Sequence, residues 1–147
     1  MRAVVQRVAE AEVTVEGERV GSIGAGLCVL VGVTHSDTEA TSVKLATRLA
    51  KLRIFADDDD KMNRSVLDIG GQVLVISQFT LYGDTRKGNR PGYSDAAAPE
   101  MAEPLIIGVV DELRSLGIEV ETGRFGANMD VRLVNQGPVT LQLDIPA

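Results

Sequence analysis

Residues 131–143 read VRLVNQGPVTLQL, in which a Gly-Pro pair interrupts two runs of strand-forming residues. The runs are Val131 to Val134 and Val139 to Leu143, and polar residues adjoin Gly137-Pro138 between them. Because proline cannot donate a hydrogen bond to a sheet and a Gly-Pro bond tolerates the cis form, the segment predicts a rigid backbone corner. An ordinary turn between antiparallel strands is the alternative.

Further segments have the composition of strands. Residues 3–15 and 19–23 predict an N-terminal hairpin with a turn at Glu16-Gly17-Glu18. Residues 27–33 are apolar throughout, as expected of a central strand that is buried on both faces. The remaining strands are predicted at residues 72–76, 118–122, 129–134 and 139–145.

Two segments have the periodicity of amphipathic helices. The first runs from about Thr38 to Leu52 and would be capped by Ser36 or Asp37, and the second ends at Gly117. Strands outnumber helices, and the connections are short enough for antiparallel pairing. We therefore predict an α+β fold in which two main helices pack outside a curved antiparallel β-sheet.

The length and composition indicate one globular domain covering residues 1–147. The chain is 44% hydrophobic and 24% charged, and its apolar stretches are too short to span a bilayer. The first residues alternate apolar and polar side chains, unlike a secretory signal. These features predict a cytoplasmic protein that has no membrane partner.

The net charge of −6 argues against a wide phosphate footprint of the kind that holds nucleic acids. Local basic patches remain possible. Lys44, Arg48 and Lys51 recur on one face of the first predicted helix, where they either contact phosphates or are simply solvated. The second basic cluster consists of Arg86, Lys87 and Arg90.

Residues that usually carry metal or nucleophilic chemistry are scarce. Cys28 is the only cysteine and lies in an apolar run, which favours a buried side chain over a nucleophile. His35 is the only histidine, and a capping or surface role is favoured over a catalytic triad. Residues 57–60 are four consecutive aspartates, but they lack the calcium-loop spacing, so a solvated loop is favoured. No metal site is predicted.

Polar and aromatic residues crowd the end of the strand at residues 72–76. Ser77 and Thr80 offer hydroxyls, Gln78 offers an amide, and backbone N–H groups there could face an oxyanion. An edge strand with satisfied polar residues is the alternative. Because no general base lies nearby in sequence, a covalent mechanism is weakened.

The SQFTL sequence at residues 77–81 and the NQGPVT sequence at residues 135–140 resemble the two signature motifs of the D-aminoacyl-tRNA deacylases. The similarity extends over essentially the whole chain, from residues 1–8 through GLCVLVGV at 26–33 to GRFGANM at 123–129. Neither motif departs from the family pattern.

The resemblance implies a homodimeric editing enzyme that cleaves the ester of D-aminoacyl-tRNA, and of glycine mischarged on tRNA-Ala, while sparing L-aminoacyl-tRNA. It implies a barrel-like antiparallel sheet, no metal and no organic cofactor. Its partner would be the acceptor end of aminoacyl-tRNA rather than DNA. The implied substrate-binding pair, Gly137-Pro138 in the cis form, would reach from one subunit into the pocket of the other. The implied catalytic residues are Ser77, Gln78, Phe79 and Thr80.

The residues agree with these implications on two physical grounds. Enantiomers have equal polarity and volume, so a rigid wall must distinguish them, and a locked backbone corner can form one. The missing base is compatible with assistance from the 2′-hydroxyl of the terminal ribose, with Thr80 as nucleophile the alternative. Two other classes stay open: an RNA-independent hydrolase of D-amino esters, and a non-catalytic dimeric module that binds RNA ends.

Overall fold

A computed structural model describes all 147 residues and contains eight strands, two α-helices and one short 3₁₀ helix. The helices are α1 (Glu39–Lys51), α2 (Pro99–Ser115) and the 3₁₀ helix (Phe79–Tyr82). The strands are β1 (Arg2–Val15), β2 (Glu18–Ile23), β3 (Gly26–Gly32), β4 (Phe55–Ala56), β5 (Met62–Arg64), β6 (Gln72–Ser77), β7 (Glu119–Thr122) and β8 (Asp130–Asp144).

Six strands form one strongly curved sheet. Its order is β2-β1-β3-β6-β7, and β8 also pairs with β1. The two ends of this order approach each other, since a Cβ built on Gly21 of β2 would overlap the carbonyl oxygen of Thr122 in β7. Only glycine allows backbones to come this close. The predicted α+β class and barrel-like sheet are confirmed.

The sheet is mixed, whereas the sequence predicted antiparallel pairing throughout. β1 pairs antiparallel with β2, β3 and β8, but β3 with β6 and β6 with β7 are parallel. A parallel pair needs a long crossover connection, usually a helix. The segments that contain α1 and α2 supply the two crossovers, so the helices predicted outside the sheet are also what makes part of it parallel.

Strand β8 replaces the two separate strands that were predicted around the Gly-Pro pair. In the register of β1 with β8, Gln6 faces Thr140 and Val8 faces Asn135. Four residues, 136–139, therefore lie opposite Arg7 alone. Because both flanking segments pair with the same strand, the Gly-Pro segment is a bulge within β8 and does not reverse the chain.

Buried apolar side chains cover both faces of the central strands. The larger cluster joins the sheet to the helices and includes Leu45 of α1 and Leu113 of α2. The smaller cluster, which includes Cys28 and Leu74, lies on the other face because side chains alternate along a strand. Neither helix is long and apolar enough to cross a membrane.

The start of α1 differs from the prediction that Ser36 or Asp37 would cap it. The N-cap is Thr38, whose N–H donates to Thr41 Oγ1 at 3.0 Å. The buried carboxylate of Asp37 is already engaged by other groups. It accepts a hydrogen bond of 2.7 Å from the α-ammonium of Met1 and one of 2.8 Å from the N–H of Thr34. A carboxylate engaged by these two donors is not free to cap the helix.

Candidate active site

The strand-end motif lies where β6 turns into the 3₁₀ helix. The N–H of Gln78 donates to the carbonyl of Val31 at 2.8 Å, which continues the pairing of β6 with β3 by one residue. The chain then turns, and the side chains of Phe79 and Thr80 are exposed. The edge-strand alternative is wrong, because β6 is flanked by β3 and β7. The first N–H groups of the 3₁₀ helix have no acceptor inside that helix and can face a ligand.

Gln78 and Thr80 contact each other. The Nε2 amide of Gln78 hydrogen-bonds the hydroxyl oxygen of Thr80. A carboxamide is neutral and does not remove a proton from a hydroxyl near neutral pH in either orientation of its oxygen and nitrogen. This geometry holds the Thr80 hydroxyl in place without activating it.

A cavity of about 590 Å³ opens beside this strand end. Its walls come from four separate parts of the chain: the end of β3, the end of β6, the segment from Tyr93 into α2, and the segment from Phe125 into the start of β8. Most of the lining is apolar, with Ser77 and Gln78 among the few polar groups. The other lining residues include Val31, Val33, Ile76, Phe79, Ala96, Ala97, Ala98, Ala102, Phe125, Asn128 and Met129.

The lining contains no group suited to act as a general base near neutral pH. No Asp, Glu, His, Lys, Arg or Cys is among the lining residues, and Tyr93 is the sole titratable one. Tyrosine ordinarily titrates near pH 10. The lining from one chain therefore supplies no such base to a reaction in this cavity.

The segment 93–98 is fixed to the end of β3 by hydrogen bonds. The Thr34 hydroxyl donates to the carbonyl of Asp95 at 2.6 Å, and the N–H of Ala97 donates to the carbonyl of Val33 at 2.9 Å. His35 Nε2 lies 2.7 Å from the carbonyl oxygen of Ser94. His35 is exposed and does not line the cavity but holds one of its walls, which agrees with the surface role favoured from the sequence and not with the capping role.

Two aromatic rings meet at the mouth of the cavity. Phe79 and Tyr93 pack edge to face with 5.1 Å between ring centroids. Both rings remain substantially exposed, Phe79 at 55% and Tyr93 at 41%. Exposed aromatic rings beside an apolar cavity are suited to contact a flat ligand group.

The Gly-Pro corner is exposed, and its peptide bond is cis. The amide of Asn135 donates to the carbonyls of Arg7 at 3.1 Å and Val139 at 3.0 Å, which closes the base of the bulge. The guanidinium of Arg7 donates to the carbonyls of Gln136 at 3.2 Å and Ile54 at 2.7 Å. The corner is thus held from both sides while Gly137 and Pro138 project outward.

The structure keeps the two motifs apart within one chain. Ser77 is level with Val31 in β3, which is level with Ala3 in β1, whereas the Gly-Pro corner faces Arg7. Four residues separate Ala3 from Arg7, or about 13 Å along the strand, and three strand spacings of about 4.8 Å lie across the sheet. Gly137-Pro138 does not line the cavity of its own chain.

The remaining candidates from the sequence have structural explanations. Cys28 is buried, and burial raises the pKa of its thiol to about 11, which opposes nucleophilic chemistry. Asp57 accepts hydrogen bonds from Asn63 and from the N–H groups of Asp59 and Lys61, which lowers its pKa and orders the turn between β4 and β5. No group of three or more His, Cys, Asp or Glu side chains is arranged to hold a metal ion.

Sequence reasoning missed part of the lining. Ala102, Phe125 and Met129 line the cavity but lie far in sequence from residues 77–80. The GRFGANM sequence at residues 123–129 carries only the family similarity, and residues 83–98 indicate a functional surface loop without singling out the alanines at 96–98. Small side chains around an apolar pocket were the available signal, because they leave room for a ligand.

Comparison with known proteins gives consistent matches. Residues 4–144 match the family described as D-Tyr-tRNA(Tyr) deacylase. D-aminoacyl-tRNA deacylases of Paracoccus denitrificans and Roseiflexus castenholzii are 62% and 60% identical over 144 residues, covering 98% of this chain and 97% and 92% of theirs.

Two solved structures share the fold. One is described as c-Myc DNA Unwinding Element Binding Protein, with TM-score 0.93, 40% identity and 100% coverage of both chains. The other is described as a "probable eukaryotic D-amino acid tRNA deacylase", with TM-score 0.84, 18% identity and 98% coverage of both chains. At 18% identity the second match concerns the fold alone.

Proposed function

The chain belongs to the D-Tyr-tRNA(Tyr) deacylase family and is a D-aminoacyl-tRNA deacylase, and we propose that it cleaves its ester substrate in the cavity beside Ser77. The observation that carries this assignment of the site is the cavity of about 590 Å³, because it opens at the family motif. Its size lies within the range of small-molecule sites. The proposed substrate is the aminoacylated terminal adenosine of tRNA.

Cleavage proceeds by substrate assistance. The absence of a titratable base from the lining, apart from Tyr93, supports a mechanism in which the ribose 2′-hydroxyl assists attack by water. Ser77, Gln78 and the N–H groups at the start of the 3₁₀ helix position the ester and stabilise its oxyanion. The bond between Gln78 and Thr80 supports a positioning role for Thr80 rather than nucleophilic attack. No step requires a cofactor.

The active unit is a homodimer in which Gly137-Pro138 of one subunit walls the cavity of the other. Two observations support this arrangement: the corner projects into solvent, and it lies too far from Ser77 to reach it within one chain. The exposed side chain of Val134 in β8 supplies apolar surface near the corner that a second subunit would cover.

A backbone wall explains which substrates are accepted. It collides with the Cβ of an L-amino acid but leaves space on the opposite side for a D-side chain. Glycine has no Cβ, so glycyl-tRNA, including glycine mischarged on tRNA-Ala, passes the same wall. Because charged tRNA occurs where translation takes place, we place this activity in the cytoplasm.

The likeness to a DNA-unwinding-element binding protein raises duplex DNA as a second ligand. The net charge of −6 opposes that reading, since duplex binding relies on neutralising many phosphates. Gripping only an acceptor end needs few phosphate contacts. Acceptor-end binding therefore fits this chain better than duplex binding.

The deciding experiment compares deacylation of D-tyrosyl-tRNA, L-tyrosyl-tRNA and glycyl-tRNA by the purified protein in the presence of a chelator. We expect fast release from the D- and glycyl-esters and little from the L-ester. Equal rates on both tyrosyl enantiomers would reject the chiral wall. Equal cleavage of D-tyrosine ethyl ester and D-tyrosyl-tRNA would favour the RNA-independent hydrolase, and binding without cleavage would favour the non-catalytic module.

A further inference from the structure

A short hairpin rises from the mouth of the cavity. Residues 84–92, which we call the basic hairpin, are closed by paired hydrogen bonds between Asp84 and Gly92 at 2.7 and 2.9 Å. The hairpin follows the 3₁₀ helix and leads into Tyr93, whose ring packs against Phe79. Both ends of the hairpin are thus anchored at the rim of the cavity. None of its residues takes part in the proposed cleavage of the ester.

The hairpin is strongly positive on an acidic protein. Arg86, Lys87 and Arg90 face only one carboxylate within it, that of Asp84. Arg86 binds Asp84 through two side-chain hydrogen bonds of 2.9 and 2.7 Å, and these bonds lower the pKa of Asp84 to about 2. The carboxylate is therefore committed to Arg86. Lys87 and Arg90 are exposed and form no ion pair, so they remain free for an external anion.

The basic hairpin is compact and lies close to the cavity rim. Residues 86–90 form consecutive bends inside the Asp84–Gly92 bridge, and the N–H of Arg86 donates to Asp84 Oδ1 at 2.9 Å, so the segment stays near its anchored ends. An RNA strand whose terminal ester occupies the cavity must leave across this rim, with successive phosphates about 3.4 Å apart. Its last phosphates would therefore pass within reach of Lys87 and Arg90.

We propose that the basic hairpin binds the phosphates of the terminal nucleotides of tRNA through Lys87 and Arg90 while the ester occupies the cavity. This inference rests on the proposed function and adds the surface by which the RNA is held. It also explains how a chain of net charge −6 can bind RNA, because the contact is confined to a few phosphates at the end of the substrate.

The cations of α1 provide a matched comparison. Lys44, Arg48 and Lys51 are exposed, but Arg48 and Lys51 lie in the last turn, where the helix dipole favours positive charge. Lys51 lies about 18 Å along the axis of α1 from the first residue of the helix, at about 1.5 Å per residue. Removal of Lys44 and Lys51 changes the net charge by the same amount as removal of Lys87 and Arg90, without touching the cavity rim.

The experiment uses two double variants, Lys87→Ala with Arg90→Ala and Lys44→Ala with Lys51→Ala, and two substrates. One substrate is D-tyrosyl-tRNA, and the other is the D-tyrosyl ester of adenosine, which has no phosphate. At 150 mM salt, loss of two phosphate contacts should lower kcat/KM on tRNA roughly tenfold and flatten its logarithmic salt slope by about 1.4. The adenosine ester should be cleaved at the wild-type rate, and the α1 variant should match wild type on both substrates.

Several outcomes would overturn the proposal. They are an unchanged salt slope for the hairpin variant, an equal loss on the adenosine ester, or an equal loss in the α1 variant. Binding of a duplex DNA by the hairpin as tightly as tRNA would assign it to another ligand. Failure of the wild-type protein to cleave either D-ester would instead reject the proposed function itself, and the adenosine ester makes that failure visible separately.

Discussion

At the scale of single residues, Thr80 carries a hydroxyl beside the proposed site, without a partner that could activate it. Its neighbour is the neutral amide of Gln78, and no carboxylate or imidazole lines the cavity. A serine or threonine nucleophile normally requires an adjacent base. The residue pattern therefore favours orientation of the substrate over covalent catalysis.

Replacing Thr80 with valine keeps the side-chain volume and removes the hydroxyl. We expect kcat/KM for D-tyrosyl-tRNA to fall by no more than about tenfold, whereas Gln78→Ala should lower it by about a hundredfold through loss of an oriented donor. Substrate ending in 2′-deoxyadenosine should lose more activity than Thr80→Val does, because it lacks the assisting group. Isolation of a covalent aminoacyl adduct on Thr80 from quenched reactions would contradict this ranking.

Asp37 contributes to stability rather than to chemistry. Its carboxylate and the ammonium of Met1 are both fully buried, and Thr34 supplies a further donor. Asp37→Ala should lower the free energy of unfolding by about 3–5 kcal/mol because it leaves a buried charge without a partner. For a chain of this size that corresponds to a Tm lower by about 10 °C.

The matched control is Asp144→Ala. Asp144 pairs with Arg2 at 3.1 Å, but both side chains are largely exposed. An exposed pair contributes about 0–1 kcal/mol, so thermal unfolding should hardly change. Similar Tm shifts for the two variants would mean that burial does not set the strength of the Asp37 pair.

At the scale of elements, the glycine in the bulge of β8 differs from the glycines that pack the sheet in the space around its Cα. Glycines 21 and 26 are required by close backbone approaches, since a Cβ at either would overlap a neighbouring strand. A Cβ at Gly137 would meet only Asn135 Oδ1, at the ordinary contact distance of 3.5 Å. The chain itself therefore tolerates a side chain at Gly137, and any functional loss there must come from something that the corner contacts outside its own chain.

Gly137→Ala should leave the Tm unchanged while lowering turnover of D-tyrosyl-tRNA, because the added methyl narrows the pocket of the other subunit. Mixed dimers test the arrangement between subunits. In one such dimer, one subunit carries Gly137→Ala and the other carries Gln78→Ala. If the corner acts on the other subunit, one cavity then has both an intact Gln78 and an intact corner, and the second cavity has neither. Co-purified, differently tagged dimers should recover about half of the wild-type activity.

Two results would reject the prediction that Gly137-Pro138 serves the cavity of the other subunit and is not needed for folding. If the corner served the cavity of its own chain, both cavities of the mixed dimer would be damaged and no activity would return. A large drop in Tm for Gly137→Ala would instead mean that the corner is needed for folding.

At the scale of the whole molecule, the curved sheet encloses a second apolar cluster on the face away from the helices. Cys28 lies in this cluster, and burial raises the pKa of its thiol from 9.0 to about 11. Burial also raises the pKa of Tyr82, from 10.0 to about 12. In both cases the folded state holds its proton more tightly than the unfolded state does.

The contribution of these two groups to the free energy of unfolding should therefore be constant up to about pH 9 and fall as the pH rises toward 11 and beyond. A shift of two units for Cys28 corresponds to about 2–3 kcal/mol lost between pH 9 and 11. Urea unfolding of wild type and Cys28→Ala at several pH values measures this loss of unfolding free energy. The variant starts less stable because of its cavity, but its curve should fall less steeply over that range, and parallel curves would contradict the assignment.

The sequence by itself determined the elements that depend on local pattern. Alternation and continuous apolar runs identified the strands, helical spacing located α1 and α2, and the SQFTL and NQGPVT motifs marked the strand end and the corner. These features depend on side-chain period and on backbone preferences of single residues, which neighbours in sequence fix. The α+β class followed from them.

Only the tertiary structure decided how these elements meet. The parallel pairs of β6, the bulge within one long β8, and the cavity walls at Ala102, Phe125 and Met129 all depend on residues distant in sequence. Strand order and register are set by the competition of many long-range contacts for one core, which no local pattern records. For the same reason the sequence could indicate both motifs, whereas only the folded register shows that they lie too far apart to share one site within a single chain.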